Sequence, residues 1–231
     1  PGLRERRENP RRDEGGITTD MSDSLTTPVE RTVMPELSSN GNAESGQAVR
    51  SMELFGVIYC DPPWRYDFAE TDSRAIEGKY PTMDTNDLCA LKVPAAKNSV
   101  LYMWATAPKL LEAVQVIAAW GYCYKTHAIW DKEKVGMGYW FRGQHELLMV
   151  ATRGKMSPPE QALRISSVIR SRRGSHSSKP DQVREWIAKW FPNERKLEMF
   201  ARPYTEMWPK HDGWETWGNE LPNDVAMTPN S

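Results

Sequence analysis

An aspartate, two prolines and a tryptophan follow one another directly after a short apolar run. The run is Phe55–Cys60, and the four residues are Asp61, Pro62, Pro63 and Trp64. The exocyclic amine of adenine is a poor nucleophile because its lone pair is delocalised into the ring, so a site that methylates it needs acceptors for the amine protons. The Asp61 carboxylate and a carbonyl held rigidly by the prolines are such acceptors. The adjacent aromatic ring can stack on an extruded base, a contact worth about 1–3 kcal/mol.

A plainer interpretation of these four residues is a strand that stops at a Pro-Pro turn, with an incidental aspartate and a packed tryptophan. On these residues alone the two interpretations are evenly balanced. The same balance applies to the ten tryptophans of the chain, most of which we assign to core packing rather than to base stacking.

The elements that would position the motif alternate between strands and helices. The predicted strands, after the last of which the chain is largely loop, are Phe55–Cys60, Val100–Trp104, Tyr122–Trp130, Leu147–Thr152 and Leu197–Phe200. Helices are predicted to begin at Asp84 or Thr85, at Pro108 (ending at Gly121) and at Pro180. The pattern predicts an α/β fold with a mostly parallel sheet, whose ligands bind beyond the carboxyl ends of its strands.

Apolar stripes predict which faces of the two longer helices are buried. The stripe of the helix after Pro108 is Leu110, Leu111, Val114, Ile117 and Ala118, and that of the helix after Pro180 is Val183, Trp186, Ile187 and Trp190.

Length and composition set limits on domains and partners. The 231 residues suffice for one catalytic domain at 51–231, preceded by a charged, apolar-poor segment at 1–50 that we predict to be a disordered tail. The net charge of −1 means that attraction to nucleic acid must come from a local patch. The three cysteines lack metal-ligand spacing, so no metal is expected. The absence of a membrane-length apolar run predicts an intracellular protein, cytoplasmic if it is encoded by a bacterium or phage.

Further segments of the chain give the motif a context. In order, they are Lys79-Tyr80-Pro81-Thr82-Met83, Leu101-Tyr102-Met103-Trp104, the run from Gly138 to Glu146, Ser178-Lys179-Pro180-Asp181, the run from Glu198 to Arg202, and Trp217-Gly218-Asn219-Glu220. Together with the Asp-Pro-Pro-Trp motif they resemble the methyltransferase-A family (the seventy-kilodalton subunit type) of S-adenosylmethionine-dependent adenine methyltransferases. The resemblance covers nearly all of residues 52–221, and although each fragment is weak, their joint order is highly specific.

The resemblance implies a fold and a reaction. The fold would be Rossmann-like, with helices on both faces of the sheet. The cofactor would be S-adenosylmethionine, and the methyl group would pass directly to the N6 amine of adenine without metal or covalent intermediate. DNA is the favoured acceptor and RNA the alternative, with a homodimer or a related partner subunit expected. Tyr204, Thr205 and Glu220 stand where the eukaryotic enzyme has other residues, which favours the phage and bacterial branch.

The resemblance also implies residue roles. The catalytic motif would be Asp61, Pro62, Pro63 and Trp64, and the cofactor would contact Cys60, Asp61, Lys179, Glu198, Phe200, Arg202, Tyr204, Asn219 and Glu220. Without the resemblance, Lys179 would be taken as a solvated charge before a helix, and Glu198 as a surface strand residue paired with a neighbouring Lys or Arg.

Candidates for binding the acceptor are Tyr66, Tyr80, Trp104, Trp140, Arg142, His145, Glu146, Arg170, Arg172 and Arg173. An isolated histidine such as His145 more often caps an element or packs in a core. The basic stretch from Arg153 to Lys179 is either a phosphate-binding loop or a solvated face, and its place beside the expected pocket favours phosphate contact.

Two other functions remain open at this point. A non-catalytic nucleic-acid-binding subunit with the same fold is one, but such relatives lose the acidic residue of the motif, which this chain keeps as Asp61. Methylation of cytosine is the other, but related cytosine enzymes usually carry serine at that position.

Overall fold

The computed structural model describes residues 54–66, 81–138, 140–172, 178–204, 210–225 and 227. Its strands are β1 (Phe55–Cys60), β2 (Ala95–Ala105), β3 (Cys123–Asp131), β4 (His145–Arg153), β5 (Val168–Arg170), β6 (Lys196–Met199) and β7 (Trp214–Trp217). Its helices are α1 (Thr85–Ala90), α2 (Leu110–Ala119) and α3 (Gln182–Trp190), with short 3₁₀ turns at Ala107–Lys109 and Gln161–Leu163. The tail predicted at 1–50 lies outside the described residues, so it stays a prediction.

The strands form a sheet in the order β5-β3-β4-β2-β1-β6-β7. β4 runs antiparallel to both of its neighbours, β2 and β3, whereas every other neighbouring pair is parallel. This confirms the predicted α/β class with a mostly parallel sheet. β1, whose six residues are all buried, lies between β2 and β6 near the middle.

Alternate residues of the central strands face two separate cores. Ile58 and Cys60 pack in one core with residues of α1 and α2, whereas Val57 and Tyr59 pack in the other with Val183 of α3. This is the period of two expected of a strand that is covered on both sides. The predicted helices on both faces and the Rossmann-like methyltransferase fold are therefore confirmed.

Several predicted boundaries are confirmed because each has a strong local cause. β1 ends at Cys60, one residue before Pro62 can break the ladder. The Asp84 carboxylate accepts from the backbone N–H of Asp87 at 2.9 Å and so caps α1. Gly121 adopts a φ of 77° and ends the turn after α2.

The predicted buried face of α2 is wrong except for Ile117. Leu111 is 79% exposed, and the buried residues of the helix are Ala113, Val116 and Ile117. The next position on that stripe is Trp120, which is buried and donates its indole N–H to the Leu88 carbonyl of α1 at 2.7 Å. This contact between helices sets the rotation of α2 about its axis. The prediction was based on large aliphatic residues and therefore did not include Trp120.

Two strands were not predicted. β5 has three residues, and β7 lies in the region that was assigned to loop. β7 pairs in parallel with β6 and buries alternate residues, Trp214 and Thr216. The predicted strand ending at Phe200 is one residue too long, because Phe200 turns with a φ of 59°.

We expect Val116→Ala and Val114→Ala to differ in cost although the chemical change is the same. Val116 is fully buried, so losing two methyl groups and leaving a cavity should lower the free energy of unfolding by about 2 kcal/mol. Val114 is 39% exposed, and its change should stay within about 0.5 kcal/mol. Urea unfolding of both variants measures this, and equal losses would contradict the assigned face.

Candidate active site

A cavity of about 320 Å³ opens at one edge of the sheet. The carboxyl ends of the parallel strands β1, β2, β6 and β7 meet at this edge, as expected for a ligand site of an α/β sheet. The residues that line it are Asp61, Pro62, Pro63, Trp64, Tyr66, Pro81, Ala105, Thr106, Glu146, Lys179, Phe200, Ala201, Arg202, Asn219 and Glu220. The whole Asp-Pro-Pro-Trp motif is thus part of one concave site.

Each part of the lining comes from the chain just beyond a strand end. Asp61 follows β1, Thr106 follows β2 and Phe200 follows β6. Glu146 is an exception: it belongs to the start of β4, which reaches the same edge because β4 is antiparallel to β2. Lys179 comes from the segment before α3, more than one hundred positions from Asp61, and only the fold brings them together.

Hydrogen bonds hold the two proline carbonyls of the motif in place. The backbone N–H of Trp64 donates to the Pro62 carbonyl at 2.8 Å, and that of Met83 donates to the Pro63 carbonyl at 2.8 Å. The backbone N–H of Arg65 in turn donates to the Met83 carbonyl at 3.2 Å. A carbonyl oxygen has two lone pairs, so each proline carbonyl keeps one for a further donor.

The aromatic side chains at the cavity differ in how much ring they offer. Trp64 is only 6% exposed, and its indole N–H donates to the Trp104 carbonyl at 3.1 Å. It therefore forms a wall but has little free face for stacking on a base, contrary to what the motif alone predicts. Tyr66 and Phe200 also line the cavity, and the Tyr66 hydroxyl lies 2.7 Å from the Thr106 hydroxyl.

Four charged side chains of alternating sign form a row at the cavity. The Lys179 ammonium lies 2.7 Å from Asp61 Oδ2 and 3.1 Å from Glu146 Oε2. The other Glu146 oxygen, Oε1, lies 2.5 Å from the Lys132 ammonium. Asp61, Glu146 and Lys179 face the cavity, whereas Lys132 stands behind Glu146. Buried charges are tolerated when each is paired in this way.

The pairing keeps these groups ionised despite burial. Burial alone would lower the pKa of Lys179, but attraction to Asp61 and Glu146 outweighs it and raises that pKa. Burial alone would raise the pKa of Glu146, but Lys179 and Lys132 outweigh it and lower that pKa. The site therefore presents a fixed ammonium between two carboxylates at neutral pH.

The opposite wall is made by two segments that pack closely. The Ala201 N–H donates to the Trp217 carbonyl at 3.1 Å, and a Cβ added to Gly218 would lie 2.3 Å from the Ala201 carbonyl oxygen. Phe200 begins this wall with its positive φ, an uncommon and strained conformation for a residue other than glycine. Such close packing aligns Arg202 with Asn219 and Glu220 at the cavity.

Six of the predicted cofactor contacts line the cavity and three do not. Those that line it are Asp61, Lys179, Phe200, Arg202, Asn219 and Glu220. The Cys60 side chain is fully buried in the core, and Tyr204 is half-buried outside the lining. Both Glu198 oxygens accept from Arg184 Nη1, at 2.8 and 2.9 Å, so the ion pair of the plainer interpretation is observed, but its two side chains are largely buried and not at the surface.

The predicted acceptor contacts fall into four groups. Tyr66 and Glu146 line the cavity. Trp104 is a correction: its side chain is 0% exposed and its indole N–H donates to the Tyr59 hydroxyl at 2.7 Å, so it cannot stack on a base. The exposed candidates outside the lining are Trp140, Arg142, His145, Arg170 and Arg172. Tyr80 and Arg173 lie outside the described residues.

The sequence-based reasoning missed Pro81, Ala105, Thr106 and Ala201 of the lining, and Lys132 behind it. Ala105 and Thr106 could have been found, because they are the first two residues after a predicted strand, Val100–Trp104, whose end lies at the ligand edge. Lys132 could not have been found, because it lies in a run of charged residues that resembles an exposed loop.

Two features that other protein classes depend on were also sought. Within the described ranges, no group of three or more His, Cys, Asp or Glu side chains is arranged to hold a metal ion. In the same ranges, no helix combines the length and the apolar character that crossing a membrane requires.

Comparison with known proteins identifies relatives over the same region. The MT-A70 family model matches residues 55–220. Type II methyltransferase M.MunI of a Mycoplasma species is 33% identical over 195 residues, which cover 76% of this chain and 81% of M.MunI.

Longer eukaryotic proteins are also similar. N(6)-adenosine-methyltransferase MT-A70-like of Arabidopsis thaliana is 28% identical over 230 residues, covering 90% of this chain and 31% of the plant protein. N(6)-adenosine-methyltransferase catalytic subunit METTL3 of Homo sapiens is 26% identical over 184 residues, covering 76% of this chain and 30% of the human protein. This chain thus spans most of M.MunI but less than a third of the plant and human relatives.

Lys179→Met should destabilise the protein in a pH-dependent way. It removes the ammonium that pairs with both Asp61 and Glu146, which should lower the free energy of unfolding at pH 7 by about 3 kcal/mol. The folded pKa of Glu146 lies below its ordinary value of 4.5, so its pairing stabilises the fold above that value and is lost as the pH falls through the folded pKa. The raised pKa of Lys179 extends the effect up to at least pH 10.

Urea unfolding at pH 7 and pH 4 measures this difference. The deficit of the variant should shrink at pH 4, whereas the exposed Lys92→Met should change little at either pH. A deficit of the same size at both pH values would contradict the ion-pair explanation.

Proposed function

This chain belongs to the MT-A70 family and is an S-adenosylmethionine-dependent adenine methyltransferase, and we propose that it methylates the N6 amine of adenine in DNA. The observation that carries the proposal is the row of Asp61, Lys179 and Glu146 on the wall of the cavity formed by the Asp-Pro-Pro-Trp motif. The proposal places the activity in residues 51–231, leaves 1–50 as a tail, and places the protein inside the cell, where both substrates occur.

The cavity suits S-adenosylmethionine in size and charge. Its volume of about 320 Å³ lies in the range of small-molecule sites. Among the described lining residues three are carboxylates (Asp61, Glu146 and Glu220) and two are cations (Lys179 and Arg202), which leaves one net negative charge. The cofactor has a sulfonium, an ammonium and a carboxylate, and therefore one net positive charge. Apolar surface from the prolines, Ala201 and Phe200 suits its adenine ring.

We assign Lys179, Phe200, Arg202, Asn219 and Glu220 to holding the cofactor, which supplies an electrophilic methyl group when bound. Cys60, Glu198 and Tyr204 are assigned indirect roles, since their side chains do not line the cavity. Glu198 in particular holds Arg184 on the second face of the sheet.

The acceptor amine is proposed to meet Asp61 and a proline carbonyl. Lys179 occupies Asp61 Oδ2, so Oδ1 remains for an amine proton. The Pro62 and Pro63 carbonyls each keep a free lone pair for the second proton. Accepting both protons localises the nitrogen lone pair on the side facing the methyl carbon. With the cofactor bound, Asp61 would take the proton that the amine loses while the new N–C bond forms, and the C–S bond would break with its electron pair kept by sulfur.

DNA is proposed as the acceptor because of the length over which the chains match. M.MunI, which is matched over most of both chains, is a DNA methyltransferase. RNA is the second candidate, because the plant and human relatives are named for adenosine. In duplex DNA the base must leave the stack, which costs a few kcal/mol.

The exposed groups near the site are proposed to contact the rest of the nucleic acid. Trp140 is 94% exposed on the β3–β4 loop, and the backbone of that loop is held by Arg142, whose Nε donates to the Gly136 carbonyl at 2.6 Å. Arg170 and Arg172 are exposed at the end of β5. We assign the arginines to phosphates and Trp140 to bases flanking the target. A second copy or a related subunit would complete this surface, as the word subunit in the human relative's name suggests.

Asp61→Asn should abolish methylation. The amide would offer its NH₂ or a weaker acceptor to the amine, and the rate should fall at least about 100-fold. The assay gives purified protein labelled cofactor with single- and double-stranded DNA and RNA oligonucleotides, and then resolves digested nucleosides by mass spectrometry. N6-methyladenine is expected first on DNA.

Asp87→Asn is the matched control, because Asp87 is exposed on α1 and should keep native activity. Product on RNA alone would shift the proposal to RNA. Cofactor binding without product on any oligonucleotide, in the presence of native protein, would favour a non-catalytic subunit and count against the proposal.

Gly218→Ala should weaken cofactor binding. Its new Cβ would press on the Ala201 carbonyl and displace the wall that carries Arg202 and Asn219. The dissociation constant should rise about tenfold, equal to about 1.4 kcal/mol. Calorimetry with the cofactor measures it.

Gly213→Ala is the control for this variant. A Cβ at position 213 would contact no other atom, but the φ of 77° there is unfavourable for alanine. The substitution should therefore cost about 1 kcal/mol of stability and leave the dissociation constant of the cofactor unchanged. Similar binding by both variants would contradict the placement of the cofactor against this wall.

A further inference from the structure

Lys132 contacts the carboxylate of Glu146, a buried residue that lines the cavity. Its ammonium lies 2.5 Å from Glu146 Oε1 and 5.4 Å from the centre of the Trp130 ring, and its side chain is 19% exposed. It does not line the cavity itself. Any effect of Lys132 on a bound molecule must therefore pass through Glu146.

The backbone at Lys132 is fixed by the base of the β3–β4 hairpin. Its N–H donates to the Gln144 carbonyl at 2.9 Å, and the Gln144 side-chain amide donates to Asp131 Oδ1 at 2.8 Å. The same Asp131 oxygen accepts from the Glu133 N–H at 2.9 Å. Lys132 is thus held in place beside Glu146 and has little freedom to move away.

The distances along the row indicate what this second lysine does. Lys179 has two carboxylates to choose between, and it lies closer to Asp61, at 2.7 Å, than to Glu146, at 3.1 Å. Without Lys132, Glu146 would bear an uncompensated buried charge and attract Lys179 more strongly. Lys179 would then move towards Glu146, and Asp61 would lose the partner that orients it.

We propose that Lys132 is a positioning residue for methyl transfer, which neutralises Glu146 and thereby keeps Lys179 on Asp61. The inference rests on the proposed function, because it assigns Asp61 the contact with the acceptor amine. It adds to that function a residue outside the cavity, contributed by the hairpin and not by the motif.

The role has a consequence for the dependence of the rate on pH. The charged or titratable groups that face Glu146 are Lys132, Lys179 and Tyr66, with Asp61 beyond Lys179. In the native protein the two lysines hold the pKa of Glu146 below its ordinary value. Once Lys132 is removed, only Lys179 opposes the effect of burial on the Glu146 carboxyl, so the pKa of Glu146 rises. Protonation of Glu146 removes the charge that would draw Lys179 away from Asp61, so the loss of rate in a variant without Lys132 should shrink as the pH falls through this raised pKa.

The test compares Lys132→Met with Lys132→Arg and Lys134→Met. Lys134 is exposed on the same loop and serves as the matched control. For Lys132→Met we expect kcat to fall about 10-fold to 100-fold at pH 7, with a deficit that shrinks at lower pH and a cofactor dissociation constant within about twofold of native. Lys132→Arg should restore most of the activity, and Lys134→Met should match the native enzyme.

A readout without activity accompanies the assay. Unfolding of the cofactor-free protein should show Lys132→Met losing stability at pH 7 but less at pH 4, because the raised pKa of Glu146 in the variant favours its protonation as the pH falls. Three results would overturn the proposal: a kcat equal to that of Lys134→Met, a loss of kcat that does not shrink at lower pH, or a loss of kcat that Lys132→Arg fails to restore. If the native protein binds the cofactor but methylates nothing, the proposed function itself fails. If the native protein is active and Lys132→Met leaves its kcat unchanged, only the role of Lys132 fails.

Discussion

The ion pair between Lys179 and Asp61 is the constraint on which the site depends. An aspartate at the end of a buried strand needs a partner, since burying an unpaired charge costs several kcal/mol. Lys179 supplies it at 2.7 Å and in doing so fixes one carboxylate oxygen and leaves the other available. The segment before α3 must therefore cross to the end of β1. The second core, in which Val183 and Ile187 of α3 pack against Val57 and Tyr59, holds it there.

Two kinds of wall meet at this ion pair and differ in physical character. The acceptor wall is polar and charged, with Asp61, Glu146 and the proline carbonyls fixed by paired contacts. The opposite wall is shaped by backbone packing, with Phe200 in a strained conformation and Gly218 against Ala201. Strain of about 1–3 kcal/mol at such a residue persists only where surrounding structure imposes it. Parallel pairing of β6 with β7 provides that surrounding structure.

Features of the fold and of the site could be predicted from the sequence where neighbouring residues determine them, and not where contacts between distant elements do. The bounds of β1 could be predicted from the local sequence, because an apolar run stopped by prolines indicates a buried strand that ends there. The assignments of Lys179 and Asn219 came only from the family resemblance, since no local pattern distinguishes them from solvated residues. The rotation of α2, the burial of Trp104 and the existence of β7 could not be predicted, because contacts between distant elements decide them. For the same reason the row from Lys132 to Asp61 is invisible in the sequence.

The antiparallel strand explains why a hairpin takes part in the site. Because β4 runs against β3, a hairpin loop joins them at the ligand edge, where a parallel neighbour would need a crossover helix. Trp130 and Glu146 are paired across its base, which places Lys132 beside the Glu146 carboxylate. The outer end of the hairpin bears the exposed Trp140 and Phe141. One hairpin thus joins the proposed nucleic-acid surface to the row of charges that ends at Asp61, so the recognition proposed outside the cavity and the chemistry proposed inside it share a single structural support.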